Sequence, residues 1–261
     1  LAYEAGTVLG EEARGRGKDV ILAPGVNIKR SPLCGRNFEY MSEDPYLTGE
    51  MAVPLAKGVQ SADTAACVKH FSLNNQETER LWVEVKVSER ALREIYLPAF
   101  EKVVKEGHVY SVMGAYNRYN GEHCCESKTL LNGVLRDEWK FDGMVVSDWG
   151  GVHLTKEAAT SGLDLEMSVT DNFDEYCMAE PLKKAVENGE IAEELIDKKV
   201  KNILRLMYRL NMLGKVLRKP GSYNTPEHRQ KILDTARESV ILLKNDKNSF
   251  RFLRKRRRKF W

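Results

Sequence analysis

Short uninterrupted apolar runs alternate along this chain with longer stretches in which apolar side chains recur every three or four positions. Asp19-Val-Ile-Leu-Ala23, Ala65-Ala-Cys-Val-Lys-His-Phe71, Val109 to Gly114, Gly143-Met-Val-Val-Ser147 and Leu163 to Met167 read as strands buried on both faces. Between them lie helical stretches. Leu1 to Gly17 reads as the second half of a helix already under way. Asp44-Pro45 opens a helix that runs to about Gln60, with Asp at the N-cap and Pro at the first helical position. Ser88 caps a helix carrying Leu92, Ile95, Tyr96, Ala99 and Val103 at helical spacing and closed by Gly107, and Ser127 caps another over Lys128 to Trp139. A short helix ends at Gly162. Two more fall near 175–187 and 192–213, the last ended by Gly214.

Repeated strand–loop–helix units predict a parallel sheet covered by helices, as either an open doubly wound sheet or a closed barrel. No Gly-rich phosphate fingerprint follows any strand, so a dinucleotide site has no support. Lys69-His70, Tyr116, Asp148 and Glu166 fall at or just past the C-terminal ends of different strands, and Arg36 lies in the loop after another. Polar residues converging on one rim favour the barrel, whose missing strands would lie upstream of Leu1. Lys219-Pro-Gly-Ser-Tyr-Asn-Thr-Pro226 reads as a linker. Pro226 to Ser239 reads as a helix and Val240-Ile-Leu-Leu243 as a buried strand. The expected division is therefore 1–213 as a partial barrel, 214–225 as linker, 226–246 as the start of a second domain, and 247–261 as a basic tail foreign to the fold.

Charge sharpens that division. The chain of 261 residues carries 41 Lys and Arg against 38 Asp and Glu, but Arg251 to Trp261 holds seven basic residues and no acidic one. Subtracting those seven leaves 34 basic against 38 acidic residues, so the body is mildly acidic and nucleic-acid binding would rest on the tail alone. No 18-residue apolar run is present, which excludes an ordinary transmembrane helix and gives a membrane no role. Five cysteines (34, 67, 124, 125, 177) without a CxxC pair speak against a disulfide framework and for a reducing, cytoplasmic compartment. The histidines are scattered, so neither a metal nor an organic cofactor is expected.

Asp148 is the sharpest chemical candidate. It ends a buried strand and precedes Trp149-Gly150-Gly151, which sets a carboxylate beside an aromatic face at a tight turn. A sugar site uses such a pair, the anion attacking or stabilising an oxocarbenium-like centre while the ring stacks on the pyranose. The plainer alternative is an N-cap Asp with Trp149 in the core. Lys69 and His70 suit hydroxyl recognition, or else a structural Lys–carboxylate pair beside a hydrogen-bonded core His. Arg36 can fork onto vicinal hydroxyls, or pair with Glu43. Tyr116 can face the nucleophile, or pack with its hydroxyl outward.

Taken in order, Ala23-Pro-Gly-Val-Asn-Ile28, Gly35-Arg-Asn-Phe-Glu39 with Ser42-Glu-Asp-Pro45, and Val68-Lys-His-Phe71 with Asn74-Asn75 and Arg80 resemble the family 3 glycoside hydrolases. So do Met113-Gly-Ala-Tyr-Asn117, Val145-Val-Ser-Asp-Trp149, Gly162-Leu-Asp-Leu-Glu-Met167 and Glu238 to Asn245. The resemblance implies a (β/α)8 TIM-barrel-like domain lacking its N-terminal units, followed by the start of an α/β sandwich. It implies retaining hydrolysis of terminal β-D-glucosides, small or cello-oligosaccharide, with Asp148 as nucleophile. Arg36, Lys69, His70 and Arg80 would hold sugar hydroxyls, Met113 and Tyr116 would line the wall, and Trp149 would stack at the leaving-group junction. In that family the general acid/base Glu comes from the second domain, and no residue here is assigned to it. Ser72-Leu73-Asn74 also departs from the loop of the N-acetylglucosaminidase branch. A non-catalytic sugar-binding remnant and an exo-β-xylosidase or broad β-glycosidase remain the alternatives.

Overall fold

The computed structural model describes residues 1–247, so the basic tail from Arg251 to Trp261 lies outside the described residues. Its centre is a four-stranded parallel sheet in the order β1 (Val20–Ile21), β2 (Ala65–Phe71), β4 (Ser111–Gly114), β7 (Met144–Val146), with β3 (Glu84–Val85), β5 (Arg118–Tyr119) and β6 (Glu122–His123) forming a separate small sheet. Val20 stands opposite Ala65, Cys67 opposite Ser111, and Ser111 opposite Met144. The neighbouring order follows the chain order, as expected when a helix returns the chain after each strand.

The sheet is buried on both faces, which explains why its strands are apolar without alternation. Ala66, Val68, Phe71, Val112 and Val145 face one cluster. It is filled by Ala52, Ala56 and Val59 of α2 (Pro45–Gln60) and by Phe100 and Val103 of α4 (Pro98–Lys105). Ala65, Cys67, Met113, Met144 and Val146 face the other, which Leu206 of α7 (Glu193–Arg209) and the following Leu210 complete. Phe71 anchors the first cluster by edge contacts to Phe100 and Trp139, with centroids 5.2 and 5.7 Å away.

Most predicted elements are present. α1 spans Ala2–Gly15, and Asp44 caps α2 by accepting from the Tyr46 N–H at 2.9 Å. Ser88 caps α3 (Glu89–Ala91), which continues as a π-wound turn over Leu92–Tyr96 into α4. Ser127 caps a π-wound helix over Lys128–Glu138. α5 (Thr155–Thr160) and α6 (Glu180–Glu187) follow, and α7 ends before Asn211, a left-handed residue at φ 54°, rather than at Gly214.

Two elements differ from the sequence reading. Leu163 to Met167 is not a full strand: it contributes one bridge, Leu165 against Val146. The Asp164 carboxylate accepts from the Val145 N–H at 2.7 Å in a place where a backbone carbonyl would continue a ladder. Val240–Leu243 is neither strand nor buried. Those four residues are 48–92% exposed, and no described strand lies beside them to supply a ladder. Residues 218–228 are tied to α1 and to Asp19 beside β1. Arg218 binds Asp19 at 2.6 Å, the Ser222 N–H donates to the Glu11 carbonyl, and His228 of α8 (Pro226–Glu238) meets Glu11 at 2.7 Å.

One element went unread. β3 (Glu84–Val85), β5 (Arg118–Tyr119) and β6 (Glu122–His123) make the second sheet on the rim beyond β4. Its hairpin turns at Asn120-Gly121, both at positive φ, the pair that a two-residue turn of this hand requires.

Candidate active site

Asp148 lies just past β7 at the C-terminal end of the sheet, with its side chain 11% exposed. One carboxylate oxygen accepts from the Trp149 N–H at 2.8 Å, and the other faces His70 Nε2 at 3.8 Å. The turn that follows needs both its glycines. Gly150 sits at φ 74°, and a Cβ on Gly151 would fall 2.8 Å from Cys125 Sγ. The chain is thereby folded back so that Trp149, 38% exposed, leaves the core, contrary to the reading of it as a core ring. Burial raises the Asp148 pKa, while the Trp149 N–H, Tyr116, Arg36 and Arg80 pull it back toward the ionised form.

His70 is a neutral ring. Burial, then the positive fields of Arg36, Lys69 and Arg80, push its pKa down to about 2, so its 3.8 Å approach to Asp148 is not an ion pair. Its backbone is clamped by Asn27, which accepts from the His70 N–H at 2.7 Å and donates to the His70 carbonyl at 2.9 Å. Nδ1 lies 3.2 Å from the Tyr40 hydroxyl. When that hydroxyl donates to Nδ1, the ring proton sits on Nε2, the nitrogen that faces Asp148.

The cations are held by carboxylates that the sequence reading did not select. Glu39 accepts from Arg36 Nε at 2.5 Å and from Lys69 Nζ at 2.9 Å, so Arg36 pairs with Glu39 and not with Glu43. Burial pushes the Glu39 carboxyl upward, but its two bonds to Lys69 and Arg36 outweigh this and hold it below its ordinary value. Glu77 accepts from Arg80 at 2.6 Å and from Asn74 at 3.3 Å. Asn74 in turn donates to Tyr40 at 3.3 Å, which ties the loop after β2 back to His70. The i, i+3 spacing of Arg36 with Glu39 and of Glu77 with Arg80 was the available signal.

Arg80 lies over the Tyr116 ring at 5.0 Å, and the Tyr116 hydroxyl donates to the Trp149 carbonyl at 2.9 Å. Burial, then the Asp148 charge, raises the Tyr116 pKa and keeps the phenol protonated. Met113 is buried on β4 in the cluster that Leu206 of α7 completes. Arg36, Lys69, His70, Arg80, Tyr116 and Trp149 thus form contacts with one another and with Glu39 and Glu77 that reach Asp148 through His70 and Trp149, whereas Glu166 belongs elsewhere. Its carboxylate accepts from the Met178 N–H at 2.7 Å and anchors the loop after residue 167.

The arrangement offers a largely buried carboxylate beside fixed cationic and neutral donors suited to hydroxyl groups. A cavity of about 380 Å³ lined by Arg136, Asp164, Lys199 and Asn202 contains none of these residues. Its polar groups are spent on one another, Arg136 on Asp164 at 2.6 Å and Lys199 on the carbonyls of Ala158, Ser161 and Leu163. Among the described residues no group of three or more His, Cys, Asp or Glu could hold a metal ion. No helix among them is long and apolar enough to cross a membrane.

Residues 1–206 match the glycosyl hydrolase family 3 N terminal domain. The beta-glucosidase BoGH3A of Bacteroides ovatus is 48% identical over 255 residues, covering 94% of this chain and 34% of that protein. An exo-alpha-(1->6)-L-arabinopyranosidase of Bifidobacterium longum is 42% identical over 248 residues, covering 94% of this chain and 31% of its own. Beta-glucosidase 3B of Thermotoga neapolitana, solved in complex with alpha-D-glucose, superposes with a TM-score of 0.84 at 44% identity, over 93% of this chain and 34% of that one. The chain spans about a third of the length of the curated relatives it matches.

Proposed function

The chain belongs to glycosyl hydrolase family 3, and from that premise we propose that it carries the nucleophile half of a retaining exo-β-glucosidase site, with Asp148 attacking the anomeric carbon of a terminal β-D-glucosyl residue. The observation that carries the reading is the Asp148 carboxylate itself, nearly buried at the end of a central strand and 3.8 Å from a neutral His70. In the first step a carboxylate oxygen bonds to C1 while the bond from C1 to the leaving oxygen breaks. In the second, water attacks C1, the Asp148 carboxylate departs, and the water's proton passes to bulk solvent. Arg36 and Lys69, fixed by Glu39, and Arg80, fixed by Glu77, hold the sugar hydroxyls with His70. Met113 and Tyr116 line the wall, and Trp149 stacks beside the departing group.

No general acid is assigned among the described residues. Glu39 and Glu77 are bound to cations, and Glu126 and Glu166 accept from backbone N–H groups. A phenolate of low pKa departs without protonation, so aryl β-glucosides are the informative substrates. We read the parallel sheet as part of a (β/α)8 barrel over residues 1–213 and residues 226–246 as the start of a second unit. That division is supported by the exposed apolar run Val240–Leu243. The five described cysteines are all free and four of them are buried, which fits a reducing setting.

The test compares hydrolysis of an aryl β-glucoside by the chain and by Asp148→Asn. A loss on the order of a thousandfold is expected, and an unchanged rate overturns the assignment. A relative of similar identity bears an arabinopyranosidase name, which favours broader exo-glycosidase action as the second reading. Aryl β-xyloside and aryl α-L-arabinopyranoside in the same assay separate the two.

A further inference from the structure

Glu126 is a carboxylate only 4% exposed, for which the chemistry at Asp148 has no use. It closes the short turn Cys124–Glu126, between the hairpin after Tyr116 and the π-wound helix over Lys128–Glu138. Both groups it binds are backbone donors. One oxygen, Oε2, accepts from the His153 N–H at 3.0 Å and from the Leu154 N–H at 3.1 Å. Those donors lie 27 and 28 residues further along the chain, at the end of the loop that begins with Asp148. A carboxylate buried without a cation against it costs free energy that an apolar residue would not. Burial raises the Glu126 pKa against the pull of the two N–H groups, and the negative fields of Glu157 and Glu166 add to the rise. The position therefore uses Glu126 as an acceptor, not as a charge.

The residue before it completes the contact. Cys125 Sγ donates to the Ala115 carbonyl at 3.3 Å, and a Cβ on Gly114 or Gly151 would fall 2.9 or 2.8 Å from that sulfur. The turn is thus packed against both the end of β4 and the glycine pair that follows Trp149. Near its start the same loop is tied by the Gly150 N–H to the Met167 carbonyl at 2.9 Å, and by the Trp149 carbonyl to the Tyr116 hydroxyl. We propose that Glu126 is a positioning residue for the reaction at Asp148, fixing the far end of the loop 148–154 against the end of β4 and so setting where the carboxylate and Trp149 stand relative to the sugar. This deepens the reading of Asp148 as the nucleophile of a glucosidase and rests on it. The cations assigned to the sugar hydroxyls sit on other segments, Arg36 and Lys69 held by Glu39 and Arg80 held by Glu77. Releasing the loop therefore leaves glucose binding intact and slows bond breaking.

The test is steady-state hydrolysis of an aryl β-glucoside by the full chain, with glucose as competitive inhibitor. Glu126→Ala should lower kcat about 10- to 100-fold, the cost of a displacement on the order of 1 Å, and leave inhibition by glucose within about twofold. Glu126→Gln, whose amide oxygen accepts from the same N–H groups, should keep kcat within about threefold of the chain. Glu126→Asp retains the charge but is one methylene short, and should lower kcat about fivefold or more; it carries the comparison with Glu126→Gln if Glu126→Ala does not fold. An unchanged kcat in Glu126→Ala or Glu126→Asp overturns the positioning role alone. Glucose inhibition weakened as much as kcat overturns it too, by making Glu126 a structural residue, and so does a Glu126→Gln chain as slow as Glu126→Asp, by making the charge its function. A chain that leaves the glucoside intact, or whose rate survives Asp148→Asn, overturns the glucosidase reading together with it.

Discussion

Replacing Glu39 by Gln tests whether Arg36 and Lys69, the cations proposed to bind the sugar, are held by one shared carboxylate. Glu39 keeps its shape in that variant but loses the charge that accepts from Arg36 at 2.5 Å and from Lys69 at 2.9 Å. The three side chains are 14–20% exposed, so solvent screens the pair only partly. Two charge-assisted bonds at roughly 1.5–3 kcal/mol each, discounted for that exposure, give an expected loss of about 2–4 kcal/mol. At roughly 2–4 °C per kcal/mol for a chain of this size, Tm should fall by about 5–15 °C. Glucose affinity should fall about 10- to 100-fold, because Arg36 and Lys69 repel one another once the anion is gone. The sign of the pH dependence follows from the lowered Glu39 pKa. Its contribution is complete above the unfolded carboxyl value of about 4.3 and is lost as pH falls through the lower folded value. The gap in stability between the chain and Glu39→Gln should therefore be level through neutral pH and close in acid. Thermal denaturation from pH 3 to 8 with calorimetric glucose titration measures both quantities, and exposed Glu43→Gln is the control. The reasoning is refuted if Glu39→Gln melts and binds glucose like the control.

Four further outcomes follow from the same contacts. Asp148→Asn should melt no lower than the chain, because burial raises the Asp148 pKa and the ionised carboxylate opposes folding at neutral pH; a large drop in Tm would mean that the residue is structural. Tyr116→Phe removes the bond to the Trp149 carbonyl. It should slow aryl glucoside hydrolysis about 5- to 10-fold, the worth of roughly 1 kcal/mol, and an unchanged rate would release Tyr116 from positioning the turn. Asn27→Ala removes two bonds to the His70 backbone and should raise KM for the aryl glucoside severalfold, an effect absent if His70 is held by its ring alone. Lys199→Met leaves three buried carbonyls without their donor; it should cost about 3–5 kcal/mol in urea denaturation while KM stays unchanged.

The strands and helices were legible because both kinds of burial leave marks in sequence. Sheet residues buried on two faces give continuous runs such as Ala65–Phe71, and capped helices announce themselves by Asp44-Pro45 and Ser127. What failed were segments whose partner decides their state. Val240–Leu243 is as apolar as a true strand, yet a strand without a neighbour has no ladder, and Leu163 to Met167 yields its ladder position to the Asp164 side chain. At the site, Asp148 and the cations were visible as residue types at strand ends. Glu39 and Glu77 left only the weak signal of their i, i+3 spacing from Arg36 and Arg80, since an acidic loop residue otherwise reads the same whether it is solvated or locks an arginine. The contact of Glu126 with the loop after Asp148 was hidden for a different reason. It joins position 126 to positions 153 and 154, and only the fold brings them together.

The covalent step proposed at Asp148 is open to direct observation. Incubation with an activated aryl 2-deoxy-2-fluoro-β-glucoside slows both steps but the second more, so a glycosyl-enzyme accumulates and survives proteolysis for mass spectrometry. The account predicts one fluoroglucosyl adduct, on the peptide that contains Asp148, and none on the chain carrying Asp148→Asn. An adduct on a different carboxylate, or burst-free hydrolysis with no adduct at all, would contradict it.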